Sequence, residues 1–168
     1  MEERMLTFIH SFDREKPAYL NALEAYSKET NVPIIRPQMQ SLLRLLITWG
    51  RPMRILEVGT AIGFSALFMS EYALEGCQIT TIEKYEKRIP VARENFERAG
   101  KAGCITLLEG DAAEILASLE EDGAYDLIFM DAAKGQYINF LPDILRLLAP
   151  SGLLVSDNVL QEGELMES

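Results

Sequence analysis

Apolar residues recur at three- and four-residue spacing through the first fifty positions. Leu20, Leu23 and Tyr26 form one stripe, and Met39, Leu42, Leu43, Leu46 and Ile47 form another. That spacing predicts two amphipathic helices. Between them, Asn31-Val-Pro-Ile-Ile-Arg-Pro37 breaks the pattern. The prolines at 33 and 37 demand an extended connection, and Pro37 suits the first turn of the helix that follows. From residue 54 the pattern changes. Short apolar runs at Arg54–Val58, Gln78–Glu83, Ile105–Glu109, Tyr125–Asp131 and Gly152–Asp157 alternate with amphipathic stretches at 64–75, 86–99, 112–119 and 136–148. Strands apolar on both faces, joined by helices, predict an α/β fold with a parallel sheet covered on both sides. Right-handed crossovers make this a Rossmann-like doubly wound sheet, with ligands expected at the carboxyl ends of the strands.

The 168 residues, 48% of them hydrophobic, suffice for one domain with its own core. Residues 1–168 are therefore read as a single domain, with a helical segment over 1–50 and an α/β core over 51–168. No stretch reaches the roughly 20 apolar residues of a membrane span and no signal-peptide core follows Met1, so a cytoplasmic protein without a membrane partner is expected. Cys77 and Cys104 lack a second Cys or His at metal-ligand spacing and read as reduced core residues. The net charge of -10 argues against a broad nucleic-acid-binding face, but it is unevenly spread: residues 1–54 carry +2 and residues 55–168 carry -12. An anionic substrate is accordingly expected to meet the N-terminal segment. His10, the sole histidine, lies outside every motif. Trp49 reads as helix packing, and Lys84, Lys87, Arg88 and Arg93 as the solvated face of a helix.

The strand ends carry the candidate chemistry. The first closes in Glu57-Val-Gly-Thr-Ala-Ile-Gly63, where glycines at 59 and 63 permit a tight turn and close approach of a ligand. A dinucleotide site would place G-x-G-x-x-G here to seat a pyrophosphate. Ala61 stands at the second glycine of that pattern, and Glu57 would repel phosphate, so a cofactor with a cationic amino group and no phosphate suits the loop better. Glu83, ending the second strand, can accept hydrogen bonds from both hydroxyls of a ribose. Asp111, in Glu109-Gly-Asp-Ala112, serves equally as a helix N-cap or as a contact to an adenine. Asp131 closes the fourth strand and Asp157-Asn158 follow the fifth. If those strands are neighbours, two carboxylates and an amide oxygen meet at one edge, a hard-oxygen set suited to Mg²⁺ or a similar cation. The alternative is a turn in which Asp157 caps and Asn158 bonds the backbone.

Taken together, Glu57-Val-Gly-Thr-Ala-Ile-Gly-Phe-Ser65, Glu83, Gly110-Asp-Ala112, Asp131-Ala-Ala-Lys-Gly-Gln-Tyr137 and Ser156-Asp-Asn-Val159 resemble the catechol and caffeoyl-CoA O-methyltransferase family. Within it, the resemblance is greatest to the bacterial branch that methylates 5-hydroxyuridine at the tRNA wobble position. The resemblance implies that Glu57, Gly59, Ser65, Glu83, Asp111, Ala112 and Asp131 border an S-adenosylmethionine site. It implies likewise that Asp131, Asp157 and Asn158 hold Mg²⁺ or another divalent cation, and that Lys134 is the catalytic base. It further implies a substrate-capping N-terminal segment, a homodimer, and an antiparallel strand pair after the fifth strand. The sequence stops at Ser168, about where the helix before that pair would begin, so a C-terminally truncated chain is expected. The acceptor expected first is the tRNA anticodon loop, with Arg36 as a phosphate contact. Small catechol-like or CoA-ester hydroxyls are the alternative, and a catalytically silent cofactor-binding module is the alternative of another class.

Overall fold

The computed structural model of the protein describes residues 15–157 and 159. Two helices come first, α1 (Ala18–Thr30) and α2 (Pro37–Gly50), with Pro37 in the first turn of α2. Their inward faces are Leu20, Leu23 and Ser27 on α1 and Gln40, Leu43 and Ile47 on α2. The stripes thus follow three-then-four spacing, which turns Tyr26 and Leu42 outward, contrary to the sequence expectation. Trp49 also departs from expectation: it is 81% exposed and packs into no core. Seven residues beyond Leu42, it shares that residue's outward face.

The α/β region runs β1 (Arg54–Val58), α3 (Phe64–Tyr72), β2 (Gln78–Glu83), α4 (Ile89–Arg98), β3 (Ile105–Glu109), α5 (Ala112–Ser118) and β4 (Tyr125–Met130). A single 3₁₀ turn (Lys134–Gln136), α6 (Tyr137–Leu147) and β5 (Leu148–Ser156) complete it. The helix expected to begin near residue 86 begins at Ile89, which puts Pro90 in the first turn, where its missing N–H costs nothing. The last strand starts at Leu148, four positions earlier than Gly152, and its pairing with β4 is irregular between Tyr125 and Leu127.

All five strands are parallel, in the order β3-β2-β1-β4-β5. Successive residues point to opposite faces. Ile55, Ile79, Leu127 and Phe129 join a core with α1, α2, α3 and α4. Leu56, Val58, Ile82, Ile128 and Met130 join a second core with α5 and α6. The expected Rossmann-like doubly wound sheet is thus present, and β1 lies at its centre. There the winding reverses, so the strand ends on either side of β1 leave a crevice between them. Among the described residues no helix is long and apolar enough to cross a membrane.

Candidate functional site

A cavity of about 930 Å³ opens at the carboxyl edge of the sheet. Every strand contributes to its wall: Gly59, Thr60, Ala61 and Ser65 after β1, Glu83 from β2, Asp111 and Ala112 after β3, Asp131 after β4, and Asp157 after β5. Pro33–Arg36, from the connection between α1 and α2, line it from the opposite side. A second cavity of about 570 Å³, between α1, α2 and the outer end of α3, shares those four residues. Of the four, only Arg36 stood out in the sequence as a candidate contact. Two prolines bracketing apolar residues were the signal that this segment is held in place.

The loop after β1 is built for close approach. Gly59 has φ +109°, and a Cβ there would sit 2.2 Å from the main-chain oxygen of Asp131. Gly63 has φ +85°, and a Cβ there would strike the Phe96 ring at 2.5 Å. Ala61 also takes a left-handed conformation, φ +48°, at the position where the sequence departs from a glycine pattern. What holds it there is Glu83. One carboxylate oxygen of Glu83 accepts the Ala61 N–H at 2.8 Å, and the other accepts the N–H groups of Lys84 (3.0 Å) and Tyr85 (2.8 Å). Glu83 is therefore more than a solvated strand-end carboxylate: it is buried and ties the glycine loop to the end of β2.

Glu57 does not line the cavity. It lies behind the wall, fully buried on the sheet face that packs against α3 and α4. Its cross-strand neighbour Thr81 donates a hydrogen bond to Oε2, and Thr81 in turn exchanges one with Thr60 at 2.6 Å. Oε1 is left without a well-formed hydrogen bond. Burial pushes the carboxyl up to about 7; the Ser65 and Thr81 hydroxyls offset part of this, and the charges of Asp131 and Glu83 add to it. Thr60 and Thr81 were missed in the sequence. The available signal was a threonine facing inward from an otherwise apolar strand, which needs a polar partner.

Asp111 caps α5, accepting the Ala113 N–H at 2.9 Å, and Lys84 reaches its second oxygen at 3.4 Å. The capping reading holds, and the residue still lines the cavity. On the other side of β1, Met130 pairs with Ser156, so Asp131 and Asp157 occupy the next register position on adjacent strands, as the metal reading requires. Both are half-buried in the wall. Tyr137, at the start of α6, was named in the sequence only as part of a motif. Its hydroxyl lies beside both aspartates, and burial together with their charges pushes it up to about 12, so it is a neutral hydrogen-bonding group at pH 7. Lys134 stands in the 3₁₀ turn between β4 and α6, and its side chain lies outside the described set. Asn158 and His10 lie outside the described residues. Among the described residues no three His, Cys, Asp or Glu side chains cluster as a metal centre.

A family profile described as O-methyltransferase matches residues 10–168. The chain belongs to that family. Two curated relatives are the catechol O-methyltransferases of Niastella koreensis, 34% identical over 143 residues and 83% of this chain, and of Mycobacterium tuberculosis, 32% identical over 154 residues and 90% of this chain. The chain spans 65% and 69% of their respective lengths. Among solved structures, an S-adenosylhomocysteine-bound methyltransferase of Podospora anserina superposes with a TM-score of 0.89 at 30% identity, covering 98% of this chain and 72% of that one. The Rossmann-like sheet is that of class I S-adenosylmethionine-dependent methyltransferases.

Proposed function

We propose that this protein binds S-adenosylmethionine and transfers its methyl group to a hydroxyl of a small catechol-like or CoA-ester acceptor, with a divalent cation at the acceptor end. The observation that carries this reading is the single cavity in which Glu83 and Asp111, on one side of β1, face Asp131 and Asp157 on the other. In this reading Glu83 accepts ribose hydroxyls, and Asp111 and Ala112 border the adenine. Gly59 and Ser65 border the amino-acid end. Glu57, behind Ser65 in the wall, favours a cationic ligand when it is ionised and opposes a pyrophosphate. Asp131 and Asp157, hard oxygen donors at one edge, suit a divalent cation, with Asn158 as the third donor.

The bound cofactor supplies a methyl on a sulfonium; the sulfur–carbon bond breaks as the carbon–oxygen bond forms, and the acceptor hydroxyl gives up its proton. Asp131 and Asp157 would hold a divalent cation, which would lower the pKa of that hydroxyl. Lys134, three residues after Asp131, is the proton acceptor in this reading. The segment Pro33–Arg36 lines the opposite wall and in this reading covers the acceptor. Relatives described as catechol O-methyltransferases support the small-molecule acceptor over the tRNA anticodon loop that the sequence resemblance put first. A homodimer, expected from that resemblance, is part of the same reading.

Incubation with labelled S-adenosylmethionine, Mg²⁺ and, in separate arms, catechols, CoA esters of hydroxycinnamates, and tRNA carrying 5-hydroxyuridine tests the assignment. Label is expected in a small acceptor. Transfer to tRNA alone would reverse the acceptor assignment, and cofactor binding without transfer to any hydroxyl would leave a silent binding module.

The cofactor half has its own test. Glu83→Ala is expected to weaken S-adenosylmethionine binding by roughly 1 to 3 kcal/mol, because ribose hydroxyls lose their acceptor and Ala61 loses the bond that fixes its left-handed conformation. Calorimetry giving an unchanged affinity would remove Glu83 from the cofactor site.

A further inference from the structure

The two aspartates sit on separate strands, and each follows the last residue of its ladder, where chain ends ordinarily diverge. Backbone pairing reaches this far: Asp131 N–H donates to Val58 O at 3.0 Å, and Asp157 N–H donates to Met130 O at 2.9 Å. Beyond those bonds, the main chain around both aspartates converges on one atom. The Tyr137 hydroxyl accepts the Ala132 N–H at 3.2 Å and lies 3.1 Å from Met130 O and 3.3 Å from Asp157 O, to either of which its proton can be donated. The residues before and after Asp131, and Asp157 itself, are thus bound to a single phenol oxygen. The ring that carries this oxygen is half-buried against the core of α5 and α6, which fixes where the oxygen stands.

We infer that Tyr137 is a positioning residue, whose hydroxyl holds the main chain of Asp131 and of Asp157 at the one spacing that lets both carboxylates serve a single divalent cation. This rests on the metal reading given above. A side chain that fixes the groups ligating a cation governs affinity for that cation without touching it, and removal of such support typically costs 10- to 100-fold in metal affinity. Phenylalanine keeps the ring packing and removes only the oxygen. It removes the acceptor of the Ala132 N–H and the hydroxyl proton that Met130 O and Asp157 O share, so the link between the strand ends is loosened.

The test is Mn²⁺ binding to the apoprotein followed by electron paramagnetic resonance, with S-adenosylmethionine affinity measured in parallel by calorimetry. Tyr137→Phe is expected to bind Mn²⁺ about 10-fold more weakly than the unaltered chain while cofactor affinity stays within about twofold. A purely structural role would leave the Mn²⁺ affinity unchanged, and that result would overturn the inference. If the unaltered chain binds no Mn²⁺, the metal reading itself fails and this inference with it. Should the variant not fold, amide hydrogen exchange in the unaltered chain decides: Ala132 N–H is expected to be protected, and exchange at the rate of an open loop would overturn the clamp.

Discussion

Replacing Asp157 by alanine is expected to cut methyl transfer by roughly 10²- to 10³-fold while leaving S-adenosylmethionine affinity within about twofold. The asymmetry follows from where the residue stands. Asp157 follows β5, which two intervening strands separate from β2, whose end carries Glu83, so its loss leaves the bonds to Ala61, Lys84 and Tyr85 in place. What disappears is negative charge at the acceptor end, where the proposed cation and the developing oxyanion would sit. Turnover near the unaltered rate, or a loss of cofactor affinity as large as the loss of rate, would remove Asp157 from the acceptor side.

Glu57→Gln is expected to stabilise the protein above neutral pH. A carboxyl held up to about 7 in the fold and near its ordinary value when unfolded gives the folded state more bound protons between those two values. Stability therefore falls as pH rises through that window, whereas a carboxylate with a depressed value would behave in the opposite sense. Below about pH 4.5 Glu57 is neutral in both states and contributes no penalty; above about 7 the folded chain bears the full cost of a buried charge, on the order of 3 kcal/mol. Glutamine carries no charge at any pH. The difference in urea midpoint between the two proteins should thus be small and constant at low pH and should grow between about pH 4.5 and 7 in favour of glutamine. A difference independent of pH would mean that Glu57 ionises as an exposed carboxyl does. Saturating S-adenosylmethionine should shrink the difference, because a cationic ligand favours the ionised carboxylate.

Much of the architecture was legible in the sequence because it obeys simple periodicities. The strands Arg54–Val58, Gln78–Glu83 and Ile105–Glu109 are bounded as the apolar runs predicted, since glycine or charge follows each, although the edge strand β3 buries only one face and exposes Thr106 on the other. The rotation of the two N-terminal helices was not legible. Tyr26 and Ser27 are adjacent, and only tertiary packing decides that the serine goes in and the tyrosine out. The start of β5 was hidden for a related reason: Leu148-Ala-Pro-Ser-Gly152 reads as a turn, and Pro150 obscures the strand. In the cavity wall, strand-end carboxylates were found by position alone, through the rule that ligands gather at carboxyl ends. The bonds that hold them were out of reach. Nothing in the chain announces that Glu83 takes three backbone N–H groups, or that Tyr137 reaches back to residues 130 and 132 and across to 157.

The central place of β1 also governs the order in which the protein can assemble. Arg54 pairs with Gln78 on β2, a separation of 24 residues, whereas Ile55 meets Leu127 on β4 across 72. Closing the longer loop costs about 1 kcal/mol more in chain entropy, before any helix in between repays it. The strands carrying the glycine loop, Glu83 and Asp111 can therefore pair while β4 and β5 are still unattached. As the chain emerges from the ribosome, the half of the crevice lined by the glycine loop, Glu83 and Asp111 can form once residue 118 is free, and the half lined by Asp131 and Asp157 is added to it afterwards.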